Sequence, residues 1–126
     1  MFKKRWGRIG DSPVIGAGTY ADNNSCAVSC TGHGEYFIRH AVAFDVCARY
    51  KYLKESVGKA ADYIIHTELN TNAGNGGLIA VDKLGNIAMP YNSGGMFRGF
   101  LYKEKGRPEI KKGCGIGKKI VVVGEK

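Results

Sequence analysis

The stretch from Val28 to Arg39, VSCTGHGEYFIR, is the strongest constraint on how this chain folds. An apolar strand pattern ends at Cys30 and a helical pattern begins near Glu35, so the backbone must turn within Thr31–Gly34. Glycine tolerates the unusual backbone angles of such a corner, and the first turn of a helix has unpaired N–H groups. These donors and the neighbouring hydroxyl suit an anion, or an oxygen that becomes negative during a reaction. The alternative interpretation is a plain strand-to-helix turn, because short Gly-rich motifs match by chance.

The rest of the pattern predicts helices packed on an antiparallel sheet. Apolar periodicity predicts one helix over Glu35–Tyr52 and a second one that is capped by Ser56 and ends near Leu69. Two apolar runs around Asp82–Gly85 predict a hairpin, and Met96–Tyr102 predicts a further strand. This order of elements indicates an α+β layered fold.

Arg8 and Asp11 lie three residues apart in an irregular loop that ends at Pro13. An arginine fork binds a carboxylate in bidentate fashion, and an aspartate binds an ammonium group. The two side chains therefore suit an amino acid that is held by both of its charged groups. The alternative is that they pair with each other and staple the loop.

Charge and cysteine usage narrow the class of protein. The formal net charge is +8, but Met1–Arg8 holds four bases and no acid, and Lys103–Lys126 holds eight bases against three acids. Because the basic excess lies at the ends and the body is near neutral, we expect solvated tails and no nucleic-acid partner. No run of residues is long and apolar enough to span a bilayer, so no membrane partner is expected.

The four cysteines form no CxxC pairs, and the three histidines lack zinc-ligand spacing, so neither a metal nor a cofactor is expected. Cys26 and Cys30 fall on one face of a strand and cannot easily bridge each other. Cys47 falls within an apolar helix. We expect reduced, structural thiols and a cytoplasmic location.

Three segments carry a resemblance to a known family: GRIGDSPVIGAGTYADN, SCTGHGEYFIR and GGLIAVDKLGNIAMPYNSGGMFRG. They resemble, in the same order, the β subunit of the plant-type L-asparaginases, also called isoaspartyl peptidases. The resemblance covers about Lys4–Tyr102. It implies an N-terminal nucleophile hydrolase of αββα fold, so that this chain is expected to be a partial sandwich that lacks the α subunit and the first β-subunit strands.

The resemblance also implies roles for particular residues. Arg8 matches the arginine that binds the substrate α-carboxylate, and Asp11 matches the aspartate that binds the α-amino group. Thr31 and Gly32 match the oxyanion hole, and Gly34 closes the same turn. Donors that are preorganised around a developing oxyanion supply a large share of the rate in such enzymes.

The chain also departs from the family pattern. Family members free a threonine by autoproteolysis, and its hydroxyl attacks the substrate amide with its own α-amino group as the base. No threonine precedes Arg8, and Thr19, the first one, does not match the nucleophile motif. Gly94 stands where the family often has an acidic residue. We expect a truncated β-subunit domain over residues 1–102 and a basic, disordered tail over residues 103–126.

Three functions remain open on this basis. The first is a C-terminal fragment of an isoaspartyl peptidase or L-asparaginase, inactive alone, whose ancestral reaction is hydrolysis of L-asparagine or β-aspartyl dipeptides to L-aspartate. It is either the product of an incomplete gene or the second half of a split one whose N-terminal half is encoded separately. The second is a non-catalytic module that binds aspartate, and the third is a scaffold that associates with a complete family member. The expected partners are a small-molecule substrate, the missing half and, by resemblance, a homodimer of αβ units.

Overall fold

An antiparallel sheet with helices on one face forms the first of two units of this chain. The structure is a computed structural model, and it describes residues 5–103, 110–116 and 121–125. The first unit ends at Asn92 and the second begins at Ser93. The α+β class expected from the sequence is confirmed by this combination of helices and sheet.

The sheet of the first unit has four strands, all antiparallel, in the order β1-β2-β3-β4. Its longest pairing joins β2 to β3 and runs from Cys26 opposite Asp82 to Gly32 opposite Gly76. The predicted hairpin is therefore confirmed, with β2 as its additional neighbour. The strands span Thr19–Ala21 (β1), Cys26–Gly32 (β2), Gly76–Asp82 (β3) and Ile87–Ala88 (β4).

Three helices follow one another between β2 and β3. They span Gly34–Arg39 (α1), Val42–Tyr52 (α2) and Val57–Tyr63 (α3), and α3 continues into a π-helical turn over Ile64–Leu69. The predicted cap at Ser56 is confirmed, because its hydroxyl accepts a hydrogen bond from the backbone N–H of Lys59 at 3.3 Å. Across the described part of the chain, no helix combines the length and the apolar character that crossing a bilayer requires.

The single helix predicted over Glu35–Tyr52 is wrong, because the backbone breaks between α1 and α2. Ala41 adopts a left-handed conformation with φ 44°. The first turn of α2 then donates hydrogen bonds to the loop that precedes β1. The N–H of Ala43 donates to the carbonyl of Ala17 at 3.0 Å, and that of Phe44 donates to the carbonyl of Gly16 at 2.8 Å. These distant carbonyl groups satisfy the first N–H groups of α2. The periodicity of side chains along the sequence does not indicate such contacts.

One face of the sheet packs on the helices and the other is open. The alternation of β2 and β3 sends Val28, Cys30, Leu78 and Ala80 into a core that the helices complete with Phe37, Val42, Val46, Ile64, Ile65 and Leu69. On the opposite face Ile79, Val81 and Ile87 keep 48%, 42% and 38% of their surface exposed. The sheet therefore has one covered apolar face and one uncovered apolar face within the first unit.

The second unit is a three-stranded antiparallel sheet in the order β5-β6-β7. The strands span Arg98–Lys103 (β5), Ile110–Gly115 (β6) and Val121–Glu125 (β7). The predicted strand over Met96–Tyr102 is thus present, but it pairs with β6.

The domain expected over residues 1–102 stays a prediction, and the division between the two compact units, between residues 92 and 93, falls inside it. The tail expected to be disordered contains β6 and β7, which pair in register from Ile110 opposite Glu125 to Cys114 opposite Val121. Residues 104–109, 117–120 and 126 of that tail lie outside the described residues. The lysines and glycines of β6, IKKGCG, hide its strand pattern, because the sequence signal for a strand is a run of apolar or β-branched residues.

The expectation of four reduced thiols is wrong for two of them. Cys26 on β2 and Cys47 on α2 form a disulfide, with their Cα atoms 5.5 Å apart. Cys30, buried, and Cys114, exposed, are free. The spacing argument that Cys26 and Cys30 cannot bridge each other agrees with this pairing. What it missed is that α2 folds back over β2 and brings Cys47 against the strand.

The turn between β3 and β4 is organised by one buried carboxylate. Asp82 accepts hydrogen bonds from the backbone N–H groups of Leu84 and Asn86 at 2.8 and 2.9 Å and from the Asn86 side-chain amide at 2.8 Å. Burial acts to raise the pKa of Asp82, but these hydrogen bonds outweigh it and hold the pKa below its ordinary value.

Removing the disulfide is expected to destabilise the first unit. The bond closes a loop with a sequence separation of 21, for which cross-linking stabilises the fold by roughly 3 kcal/mol. Replacing Cys26 and Cys47 together by serine lowers the free energy of unfolding in urea accordingly, whereas Cys114→Ser leaves it unchanged. Denatured, unreduced protein exposes only the Cys30 and Cys114 thiols to a thiol reagent. Reaction of all four cysteines without reductant contradicts the pairing.

Asp82 is expected to contribute to the acid sensitivity of the fold. Because its pKa is lower in the folded chain, its carboxylate stabilises the fold above the unfolded value of about 3.9. This contribution is lost as the pH falls through the folded-state pKa. In Asp82→Asn, the fall in unfolding free energy between about pH 6 and about pH 3 is therefore smaller than in the unmodified chain. The exposed Asp62→Asn serves as control, and identical pH dependence of Asp82→Asn and the unmodified chain overturns the prediction.

Candidate active site

The corner at the end of β2 depends on a glycine. Gly32 has φ 152°, a conformation that side chains disfavour. A Cβ atom there lies 2.7 Å from the Gly76 Cα and 2.8 Å from the Phe37 ring, so no side chain fits. The next residue, His33, donates its backbone N–H to the carbonyl of Asn75 at 3.0 Å, and α1 begins at Gly34. The predicted order of strand, corner and helix is confirmed.

The corner presents polar groups at the surface of the first unit. Thr31 and Gly32 are exposed, and Gly34 is buried beneath the preceding loop. The first N–H groups of α1 have no acceptor inside the helix, as in any helix. The acidic Glu35 lies in the same turn, where a negative side chain is favourable.

Arg8 reaches the same place from the loop before β1. Its guanidinium Nη2 lies 3.5 Å from Oε2 of Glu35, and both side chains are about half exposed, at 42% and 57%. An ion pair with this exposure contributes at most about 1 kcal/mol. The guanidinium is therefore held near the corner by a weak contact that a ligand carboxylate can replace or share.

Asp11 is buried and lacks a matching cation. Only 5% of its surface is exposed, and its Oδ2 atom has no hydrogen-bond partner. Among the ion pairs of residues 5–103 none involves Asp11, and the one that Arg8 forms is with Glu35. The alternative in which Arg8 and Asp11 staple the loop by pairing with each other is therefore wrong.

The charge of Asp11 acts on its surroundings. Cys30, on the buried face of β2, has its pKa raised to about 12, first by burial and second by the negative charge of Asp11. The thiol is therefore neutral and structural at ordinary pH. A buried carboxylate without a partner is costly, so this site favours a positively charged ligand group.

The structure brings the five sequence-predicted residues to one end of β2. Arg8 contacts Glu35, the first residue after Gly34, and Asp11 packs directly against Gly34. Thr31 and Gly32 end β2, and His33 joins them to that helix start. A guanidinium, a carboxylate and a set of N–H and hydroxyl donors therefore converge, an arrangement that can hold a zwitterionic amino acid and stabilise a nearby oxyanion.

Asn92 belongs to this region, and the sequence analysis missed it. Its side-chain Oδ1 accepts from the N–H of Gly76 at 2.8 Å, and its Nδ2 donates to the carbonyl of Gly74 at 2.9 Å. Its own N–H binds the carbonyl of Gly76 at 2.9 Å. Asn92 thus fixes the backbone on which Gly32 rests. The only sequence signal was an asparagine after Pro90, which is typical of any turn.

Two further residues were missed for the same reason. Glu35 was assigned only as the start of a helix, and its contact with Arg8 crosses a long stretch of chain. Gly18 received no role within the segment GRIGDSPVIGAGTYADN, and its contact with Asp11 depends on how that segment folds back on itself. Within the described ranges, no group of three or more His, Cys, Asp or Glu side chains is placed to hold a metal ion.

Comparison with known proteins identifies the family of this chain. The family model described as Asparaginase matches residues 1–110. The chain is 50% identical over 102 residues to an isoaspartyl peptidase of Salmonella typhimurium, which covers 81% of this chain and 33% of the relative. It is 45% identical over 116 residues to an isoaspartyl peptidase of Escherichia coli, covering 84% and 36% of the two chains.

A plant relative has the same degree of similarity. The chain is 50% identical over 99 residues to a probable isoaspartyl peptidase/L-asparaginase 2 of Arabidopsis thaliana, covering 79% of this chain and 30% of the relative. The chain therefore spans about a third of the length of the curated relatives that it matches. With a family model that matches most of its length and relatives at this identity, the chain belongs to the asparaginase family that includes the isoaspartyl peptidases.

Proposed function

We propose that this chain forms the substrate-binding and oxyanion-stabilising part of an isoaspartyl peptidase/L-asparaginase, which hydrolyses L-asparagine or β-aspartyl dipeptides to L-aspartate. The observation that carries the proposal is the buried, unpartnered carboxylate of Asp11 beside the half-exposed guanidinium of Arg8. These two groups match the two charged ends of an α-amino acid, the part that both substrate types share.

Asp11 is the group for the substrate ammonium. Its Oδ2 atom has no hydrogen-bond donor in the structure and almost no access to water. An ammonium group supplies three donors and a compensating charge, so binding removes the cost of the unpaired carboxylate. The site is thus less stable empty than filled, which favours a cationic ligand over a neutral one.

Arg8 is the group for the substrate α-carboxylate. Its contact with Glu35 uses one guanidinium nitrogen at 3.5 Å, so other donors of the fork remain available. Thr31 and Gly32 provide the hydroxyl and the N–H for the oxyanion, and the pairing of β2 with β3, which ends at Gly32 opposite Gly76, holds that corner in place. Gly34 permits the loop of Asp11 to lie directly on the helix start.

The nucleophile is expected from outside the residues of this site. The threonines of the chain are Thr19, Thr31, Thr67 and Thr71, and none matches the family's nucleophilic threonine. Removing a covalent nucleophile lowers the rate by orders of magnitude even when the binding groups are intact. Arg8 and Asp11, which together form a substrate clamp, therefore hold the substrate for attack by a nucleophile from elsewhere. The remainder of the family fold supplies this nucleophile, in the same polypeptide or in a partner.

The open face of the sheet is the place where that remainder packs. The exposed side chains of Ile79, Val81 and Ile87 form an apolar surface on β3 and β4. In an αββα sandwich, a second sheet covers this face. We therefore assign the chain to a partial sandwich that is completed by an α-subunit-like region, and a homodimer of such αβ units is the assembly that the family resemblance implies.

A second candidate function is a non-catalytic aspartate-binding module. The binding groups lie within the described chain, so recognition does not require the nucleophile. A cytoplasmic location stays a prediction for either function, and the Cys26–Cys47 disulfide removes the reduced-thiol argument for it.

The clamp is tested by binding of L-aspartate to the 126-residue chain in isothermal titration calorimetry. Asp11→Asn is expected to weaken binding by about 10- to 100-fold, because a hydrogen bond to a charged group contributes about 1.5–3 kcal/mol. Arg8→Ala weakens it similarly. Asp11→Asn also raises the free energy of unfolding, because it removes an unpaired buried charge.

The matched control for this experiment is Asp62→Asn, which makes the same chemical change at an exposed position on α3. It leaves both the affinity and the stability unchanged. Tight binding by Asp11→Asn, or no binding of L-aspartate by the unmodified chain, contradicts the assignment of the clamp.

Turnover distinguishes the two candidate functions. The chain alone is expected to release no ammonia from L-asparagine and no amine from a β-aspartyl dipeptide, because the nucleophile is missing. Co-expression with the part of the Salmonella typhimurium isoaspartyl peptidase that precedes its match to this chain restores hydrolysis. The same combination with Arg8→Ala does not. Turnover by the chain alone contradicts the missing nucleophile, and no turnover in any combination favours the binding module.

A further inference from the structure

We propose that Gly18 is a positioning residue of this site: together with Gly34 it forms a slot without side chains that orients the Asp11 carboxylate, and thereby makes the site selective for ligands with an α-ammonium group. The inference rests on the proposed clamp. It assigns to a residue outside that clamp the choice between ligands that carry an amino group and those that do not.

The slot follows from two close approaches. A Cβ atom on Gly18 lies 2.8 Å from Oδ2 of Asp11 and still closer to its carbonyl oxygen. A Cβ atom on Gly34 lies 2.9 Å from both Oδ1 and the backbone nitrogen of Asp11. Each distance is below the contact that carbon and oxygen atoms tolerate. Each glycine thus confines one carboxylate oxygen of Asp11: Gly18 confines Oδ2, and Gly34 confines Oδ1.

Gly18 is held in place from both sides, so it cannot move away from an added methyl group. Its N–H donates to the carbonyl of Val14 at 3.2 Å, and its carbonyl accepts from the N–H of Cys30 at 2.8 Å. The second bond ties it to β2, the central strand of the unit. A side chain on Gly18 therefore displaces Asp11, and the strand stays where it is.

Space, and not backbone freedom, is the reason for glycine at this position. The left-handed glycines in the first unit are Gly7, Gly16, Gly32 and Gly85, and Gly18 is not among them. Gly16, two residues earlier, is the opposite case: its φ is 91°, and a Cβ atom there makes only an ordinary contact with the Phe44 Cβ at 3.7 Å. An alanine at residue 18 adopts the backbone without strain and fails only where it meets Asp11.

The displacement acts on one half of the clamp. Oδ2 is the unpartnered atom of Asp11 and the carboxylate oxygen that a Cβ atom on Gly18 would meet. Arg8 is anchored elsewhere, at Glu35 on α1. Crowding at residue 18 therefore disturbs Asp11, which binds the ligand's ammonium group, and leaves Arg8, which binds the ligand's carboxylate, in place. Such a change alters the preference between ligands with and without an amino group, whereas a general loss of stability weakens the binding of both.

The test uses the 126-residue chain and two ligands, L-aspartate and succinate, which differ by the α-amino group. In Gly18→Ala the dissociation constant for L-aspartate is expected to rise about tenfold, and that for succinate to stay within about twofold. Gly10→Ala is the matched control, because it adds the same methyl group next to Asp11 into open space. It leaves both constants unchanged.

The outcomes separate this inference from the function beneath it. If the unmodified chain binds no L-aspartate, the proposed clamp fails and the inference fails with it. If the unmodified chain binds and Gly18→Ala keeps its preference for L-aspartate, only the inference is overturned. Equal loss of both ligands in Gly18→Ala also overturns it, because the whole loop has then collapsed.

A second variant covers the case in which Gly18→Ala does not fold. Gly34→Ala crowds the other oxygen of the same carboxylate, and the same loss of preference for L-aspartate is expected. Retained preference overturns the slot. If both variants lose their circular-dichroism melting transition while Gly10→Ala keeps it, the two glycines serve folding and the positioning role is overturned.

Discussion

The seven-residue ladder between β2 and β3 is the pairing on which the rest of the first unit depends. It runs from Cys26 opposite Asp82 at one end to Gly32 opposite Gly76 at the other. The disulfide and the buried turn lie at the first end, and the candidate site lies at the second. Because the side chains of a strand alternate, a slip of one residue would exchange the buried and exposed faces of both strands.

The site end of this ladder is shaped by what its residues lack. Gly32 and Gly76 approach each other and the Phe37 ring so closely that neither can carry a Cβ. Gly18 and Gly34 make the same kind of room for Asp11. The outcome is a buried carboxylate with an unsatisfied oxygen, which costs stability in the empty protein. A ligand with a positively charged group compensates for this loss of stability when it binds, which is why we regard Asp11 as the centre of the site.

Local sequence patterns predicted the elements of the first unit well and their long-range contacts poorly. The strand at Cys26, the cap at Ser56 and the hairpin around Asp82 each follow from neighbouring residues, whose spacing a reader of the sequence can see. The break at Ala41 depends on carbonyls of a distant loop, and so periodicity carried one helix through it. The partner of Cys47 was missed in the same way.

The residues of the site likewise fall into those that local motifs predicted and those that long-range contacts connect to it. Family resemblance marked Arg8, Asp11, Thr31, Gly32 and Gly34, because motifs are contiguous. Asn92, Glu35 and Gly18 act across the fold, by a backbone clamp, an ion pair and an absence of bulk. A single sequence contains no spacing that links these residues to the corner, so only the folded chain relates them to the site.

The two faces of the sheet connect this site to the length of the relatives. The helices cover one face and bring Phe37 beneath the corner, so the covered face builds the site. The other face exposes three large apolar side chains, Ile79, Val81 and Ile87, on two adjacent strands. Exposed apolar patches of this kind mark interfaces, and the chain spans about a third of its relatives. The open face therefore borders the candidate site, and any region that packs on it also comes next to Thr31, whose side chain points to that face.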